Sequence, residues 1–127
     1  MTCPTFRYHP AVVPQAAATL DVLSDGRFTL GIGSGERLNE HVVGDAWPNA
    51  TVRQARLREA LEIIRLLWQG GYQSYDGRYF RLDDARVFDL PDEPPIMAVA
   101  GGGQDAAAIA AELGDGLFAA RSGSERR

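Results

Sequence analysis

Ile96-Met97-Ala98-Val99-Ala100 runs straight into Gly101-Gly102-Gly103, then into an alanine-rich stretch from Gln104 to Leu113 that stops at Gly114. Five apolar residues bounded by turn signals read as a buried strand. The glycines read as a tight turn, the alanine-rich stretch as a helix and Gly114 as its stop. The same theme occurs upstream, where Phe28 to Ile32 reads as a buried strand followed by the turn Gly31-Ile32-Gly33-Ser34-Gly35 and then Glu36. Beyond that turn lies a strongly patterned helix. Thr51 and Gln54 have capping-box spacing, Leu57, Leu61, Ile64 and Trp68 form an apolar stripe, and Gly70-Gly71 ends it. Toward the N-terminus, Met1 to Thr5 is extended. A helix from about Pro10 to Leu23 would bury Val13, Ala16, Ala17 and Leu20, with both its prolines in the first turn and Asp25-Gly26 as its end. Tyr72–Tyr75 and Arg78–Arg81 flank Asp76-Gly77 as a hairpin, and Leu117 to Ala120 forms a last strand.

Strand and helix therefore alternate, with one hairpin inserted, which predicts an α/β fold around a parallel sheet. An open doubly wound sheet and part of a (β/α)8 barrel both fit. A whole barrel takes ~250 residues, and 127 residues hold about half of one.

Composition narrows the function. A hydrophobic fraction of 45% with 24% charged residues is that of a globular protein. No apolar run reaches the ~20 residues of a membrane span, and the N-terminus has no signal-peptide pattern. A net charge of -4 argues against nucleic acid or an anionic membrane as partner. The single cysteine fits a reducing, cytoplasmic setting. All 13 basic residues are arginine, so no lysine is present for Schiff-base chemistry or a P-loop.

Ligands of parallel α/β folds bind beyond the C-terminal ends of the strands. Three such ends, Thr2 to Thr5, Gly33 to Glu36 with Asn39, and Gly101 to Gly103, should converge on one rim. The first glycine turn fails the dinucleotide fingerprint, because Glu36 stands where the third glycine belongs. Glu36 could pass a proton there, and the Asn39 amide could hydrogen-bond the edge of a heterocycle. Gly101-Gly102-Gly103 reads equally as a phosphate seat at a helix N-terminus or as a small-residue turn. Asp105, in the first turn of that helix, suits the helix dipole but would not help an anion. Other residues point to structure instead. His9 reads as a loop or cap residue, Cys3 as inert packing, Trp68 as core, and Arg53, Arg56 and Arg58 as a solvated face. Glu40-His41 has no second histidine at metal spacing, and no metal is expected.

Thr2 to Pro10 and Gly31 to Glu40 together resemble the luciferase-like oxidoreductase superfamily, and most nearly its coenzyme F420-dependent branch, typified by F420-dependent glucose-6-phosphate dehydrogenases. Ala46-Trp47-Pro48, Leu66-Leu67-Trp68, the hairpin at Asp76-Gly77 and Val99 to Gly102 add to the likeness, which extends to about Ala119. The resemblance implies a partial (β/α)8 TIM barrel over residues 1–120 with a β-hairpin insertion, followed by a tail, 121–127, outside the family pattern. It implies hydride transfer between a small organic substrate and the deazaflavin. Glu36 matches the family's proton donor; Thr2, Gly35, Asn39, Gly101, Gly102, Gln104 and Asp105 match cofactor-binding positions. The histidine base of the family has no counterpart here, so the chain reads as a central fragment with little activity alone. Two alternatives accompany this reading: a flavin mononucleotide (FMN) monooxygenase of the same superfamily, and a non-catalytic remnant that holds a phosphorylated ligand. Half a barrel leaves open sheet edges and an uncovered inner face, inviting a homo-oligomer or a chain that supplies the missing strands.

Overall fold

A computed structural model of the chain describes residues 2–4, 8–33, 49–101 and 104–118. The elements are β1 (Thr2–Pro4), α1 (Val12–Leu23), β2 (Thr29–Gly33), α2 (Ala50–Trp68), β3 (Gln73–Asp76), β4 (Arg81–Ala85), β5 (Ile96–Ala100), α3 (Gln104–Leu113) and β6 (Gly116–Phe118). Four strands form one sheet in the order β1-β2-β5-β6, every neighbouring pair parallel. β3 and β4 form a separate antiparallel hairpin. No helix among the described residues is long and apolar enough to cross a membrane.

The two faces of the sheet differ. Leu30 pairs with Met97 and Ile32 with Val99, and all four are buried in one cluster with the helices. The alternate positions pair Gly31 with Ala98 and Gly33 with Ala100, so the opposite face carries only glycine and alanine at these four positions.

α2 supplies most of the helical side of the core. Leu57, Leu61, Ile64 and Trp68 are buried as the stripe predicts, with Ala60, Ile63 and Leu67 beside them. Each large aliphatic buried this way contributes about 1.5–3 kcal/mol. The start of α2 differs from the predicted capping box. Asn49 is the N-cap, its Oδ1 accepting the Val52 N–H at 2.9 Å, and Thr51 and Gln54 lie inside the helix. Asparagine satisfies a free N-terminal donor as well as threonine does, and here it comes first in the chain. Trp68 is core, and its indole Nε1 donates to the Pro14 carbonyl at 3.1 Å, joining α2 to α1.

α1 corrects the sequence reading more deeply. It begins at Val12, after Pro10, and Pro14 occupies the first turn, where a missing N–H is harmless. His9 is a loop residue, not the cap: the N-cap is Ala11, without a side-chain cap bond, and His9 Nδ1 accepts the Ala11 N–H at 3.0 Å. The buried positions are Val13, Pro14, Ala17, Ala18 and Asp21, whereas Ala16 and Leu20 are exposed. Counting apolar residues turns Leu20 inward. The helix is instead rotated so that Asp21 Oδ1 accepts the Phe28 N–H at 3.3 Å, at the entry to β2.

The hairpin differs as well. Asp76 pairs with Arg81, so four residues, 77–80, make the turn where two were predicted. Glu59 of α2 is the reason. Its carboxylate accepts the N–H groups of Arg78, Tyr79 and Phe80 at 3.0–3.3 Å, and any side chain at Gly77 would strike that carboxylate. β2 and β6 are shifted slightly from the predicted spans; Ala119 and Ala120 lie outside the described residues.

Candidate functional site at the C-terminal rim of the sheet

Pro4 is in register with Gly33, Gly33 with Ala100, and Ala100 with Phe118. The last residues of all four strands therefore form one row across the sheet, and the segments that follow them leave from one rim. The sequence expects this convergence, and the register supplies it for the described strand ends. Thr2 lies two residues below the row, level with Gly31. Gly35, Glu36 and Asn39 fall in residues 34–48, which leave the rim after Gly33 and lie outside the described residues, as does Gly102.

Gly101 follows β5 directly, and α3 begins at Gln104. A Cβ on Gly101 would approach the Ala106 Cβ to 2.8 Å, so this glycine lets the first turn of α3 pack back against the strand end. That contact fits the small-residue reading of the turn. Gln104 and Asp105 are both exposed in the first turn of α3. Bare backbone and the free N–H groups of a helix start suit a phosphate-bearing group, while the Asp105 carboxylate opposes one. Gly33 and Ala100 extend the row of small residues; a Cβ on Gly33 would lie 3.2 Å from the Ala100 carbonyl oxygen. Gly33, Ala100 and Gly101 thus place no bulky side chain at these positions of the rim.

Two side chains that sequence reading passed over tie β5 and β6 together toward the foot of the sheet, the end opposite the rim. Asp115, between α3 and β6, accepts the Met97 N–H at 2.9 Å and donates its own N–H to the Met97 carbonyl at 2.7 Å. Arg65 of α2 pairs with that carboxylate at 3.1 Å and donates to the Leu113 carbonyl at 2.9 Å. An aspartate flanked by Gly114 and Gly116 at a helix-to-strand turn was the available signal. Glu59 had none, because its partners are backbone groups about twenty residues away. Arg58 is no free solvated charge: it bridges to Glu112 of α3 at 2.8 Å, and that bond holds the Glu112 carboxyl below the usual carboxylate range. Burial, helped by the hydrogen bond to Glu62, pushes the Tyr75 hydroxyl well above the usual phenol range, so it stays protonated and donates to Glu62 Oε2 at 2.7 Å.

A cleft of about 480 Å³ lies elsewhere, between the α1–β2 turn and residues 90–96. Those segments lead into β2 and β5, which puts the cleft at the foot of the sheet, opposite the rim.

The family model described as luciferase-like monooxygenase matches residues 1–126. The chain belongs to the luciferase-like family. Among relatives of this luciferase-like chain, the F420-dependent hydroxymycolic acid dehydrogenase of Mycobacterium tuberculosis is 47% identical over 119 residues, which are 94% of this chain and 33% of that protein. The F420-dependent glucose-6-phosphate dehydrogenase of Beutenbergia cavernae is 48% identical over 123 residues, 97% of this chain and 36% of that protein. Among solved structures, an F420-dependent secondary alcohol dehydrogenase in complex with an F420-acetone adduct superposes with a TM-score of 0.88 at 38% identity, over 94% of this chain and 36% of that one. The chain thus spans about a third of the length of the relatives it matches. Its four parallel strands and their helices are part of a (β/α)8 barrel, as the sequence predicts.

Proposed function

We propose that this chain is the central segment of a coenzyme F420-dependent oxidoreductase. The observation that carries the reading is identity near 48%, over more than nine-tenths of the chain, to dehydrogenases named for that coenzyme. The bare rim supports it. When bound, the deazaflavin takes up a hydride. In the names of the relatives the oxidised compounds are a hydroxy acid, a sugar phosphate and a secondary alcohol, so we assign the substrate class as a carbon bearing a hydroxyl group. Oxidation of such a carbon removes the C–H hydrogen with its electron pair and the O–H hydrogen as a proton, leaving C=O. On this reading Glu36 holds or delivers a proton at the ring, offsetting the charge that develops there. Asn39 hydrogen-bonds the ring edge, and Thr2 and Gly35 line its seat. Gly101 and Gly102, with Gln104 and Asp105 as backbone contacts, receive the phosphate-bearing tail. The base that takes the hydroxyl proton is supplied from outside these 127 residues, and so are the strands that close the barrel, whether from a longer chain or a second one.

The test is a fluorescence titration of the purified chain with oxidised F420, with FMN as control. Saturable F420 binding that weakens at least tenfold in Asn39→Ala supports the reading. Preference for FMN would move the chain to the monooxygenase alternative. Binding of neither would leave the isolated chain without a working cofactor seat. Asn39→Ala is a cleaner probe than Gly101→Val, because a valine at 101 also strikes Ala106.

A further inference from the structure

Two sequence motifs have no part in the redox reading: Tyr8-His9-Pro10, which ends the first stretch of family likeness, and the hairpin at Asp76-Gly77. The fold brings them together. Phe80, the last residue of the hairpin turn, meets the His9 ring edge to face, with centroids 5.5 Å apart. That is the arrangement aromatic quadrupoles favour. From α2 the Arg56 guanidinium stands over the same Phe80 ring, 5.5 Å from its centroid. Phe80 is 8% exposed and belongs to the core cluster, so its ring is a fixed surface for His9 to rest on.

The turn is fastened where it makes that contact. Glu59 accepts the N–H groups of Arg78, Tyr79 and Phe80, a charge-assisted set that holds the backbone of the turn itself. The Gly77 N–H donates to the Phe80 carbonyl at 2.9 Å and closes the turn. A Cβ on Gly77 would strike the Glu59 carboxylate and come within 2.6 Å of the Tyr75 ring, so glycine lets the turn lie this close to α2. Glu62, one helical turn past Glu59 on the same face, accepts the Tyr75 hydroxyl. The hairpin is thus strapped along α2 at two points. On the other side of the contact, His9 follows Pro4, the rim residue of β1, by five residues. Its Nδ1 accepts the Ala11 N–H, and Pro10 between them is fully buried.

We propose that the hairpin braces the entry from β1 into α1, with Phe80 and Glu59 as positioning residues. The four strands of the parallel sheet pair with one another without the hairpin. What it adds is a fixed point on α2 against which the first stretch of the chain rests after leaving the rim. Its effect on cofactor binding rests on the F420 reading; the brace itself does not.

The experiment is a double-mutant cycle on the 127-residue chain, read by F420 fluorescence titration and by hydrogen exchange at the Ala11 amide. Phe80→Leu keeps an apolar side chain in the core and removes one ring. His9→Asn removes the other ring and keeps an oxygen able to accept the Ala11 N–H. All titrations run well below each variant's unfolding midpoint, where a residue that only stabilises the fold leaves affinity unchanged. Each single variant should weaken F420 binding three- to tenfold. The double variant should be no weaker than the weaker single, because both substitutions break the same contact. Ala11 exchange should be at least fivefold faster in Phe80→Leu. Should that variant fail to fold, Glu59→Gln, which neutralises the fastening, takes its place with the same outcomes expected. Unchanged affinity in both single variants, or losses that multiply in the double, would overturn the positioning role. If the parent chain binds no F420, the F420 reading fails by itself and exchange alone decides: faster exchange at Ala11 upholds the brace, and unchanged exchange overturns it.

Discussion

The two faces of the sheet share one backbone but have different contents. Leu30, Ile32, Met97 and Val99 interlock with α1, α2 and α3, while Gly31, Gly33, Ala98 and Ala100 present almost no side chain. Strand alternation alone allows this division, since each second residue faces the other way. The helical face holds the fold together by filling space. The small-residue face and the rim above it add almost no side-chain packing of their own, so stability and ligand binding should respond to different substitutions.

The largest effect should come from the filled face. Leu61→Ala removes a fully buried side chain from the centre of α2 and should cost about 2–5 kcal/mol in urea unfolding. Near-neutrality there would mean that this core is not close-packed. At the junction of the two faces, Gly101→Val forces a clash with Ala106 and should cost about 1–3 kcal/mol, read as a lower unfolding midpoint. The small-residue face should behave in the opposite sense. Gly33→Ala would bring its methyl to 3.2 Å from the Ala100 carbonyl oxygen and 3.4 Å from the Ala100 Cβ, tighter than ordinary contact, and should cost about 1 kcal/mol. Its effect on F420 affinity, measured by the same fluorescence titration, should exceed its effect on stability; the reverse order would erase the distinction between the faces. The smallest effect belongs to the exposed Arg58–Glu112 bridge. The carboxyl of Glu112 is held low in the folded chain, so its stabilising contribution is present above the ordinary carboxylate range and is lost as pH falls through the folded value. The difference in unfolding midpoint between the parent and Glu112→Gln should therefore be small at pH 7 and shrink further as pH falls below the ordinary carboxylate range.

What could be read in the sequence follows from how local each signal is. The α2 stripe and the strand at Ile96 to Ala100 depend on neighbours a few residues away, and they stand as predicted. The inward face of α1 and the length of the hairpin turn were misread, because each answers to one distant polar contact, Asp21 to Phe28 and Glu59 to residues 78–80. Periodicity weighs apolar residues and has no term for a carboxylate that fastens a remote backbone. The three strand ends of the candidate site were legible, and the register aligns the residues that close them. Glu36, Asn39, Gly35 and Gly102 rest on the family motif.

By itself, the sequence determined the alternation of strand and helix, the parallel sheet and membership of the luciferase-like family, since each is written in local pattern or motif. Only the tertiary structure decided which face of α1 turns inward, why Gly77 and Gly101 carry no side chain, and that an acidic cleft lies at the foot, opposite the rim. The Glu59 carboxylate at Gly77 and the two walls of the cleft join segments far apart in the chain, while Asp21 with Phe28 and Gly101 with Ala106 meet because the chain folds back on itself, and pattern along one dimension records neither kind of meeting.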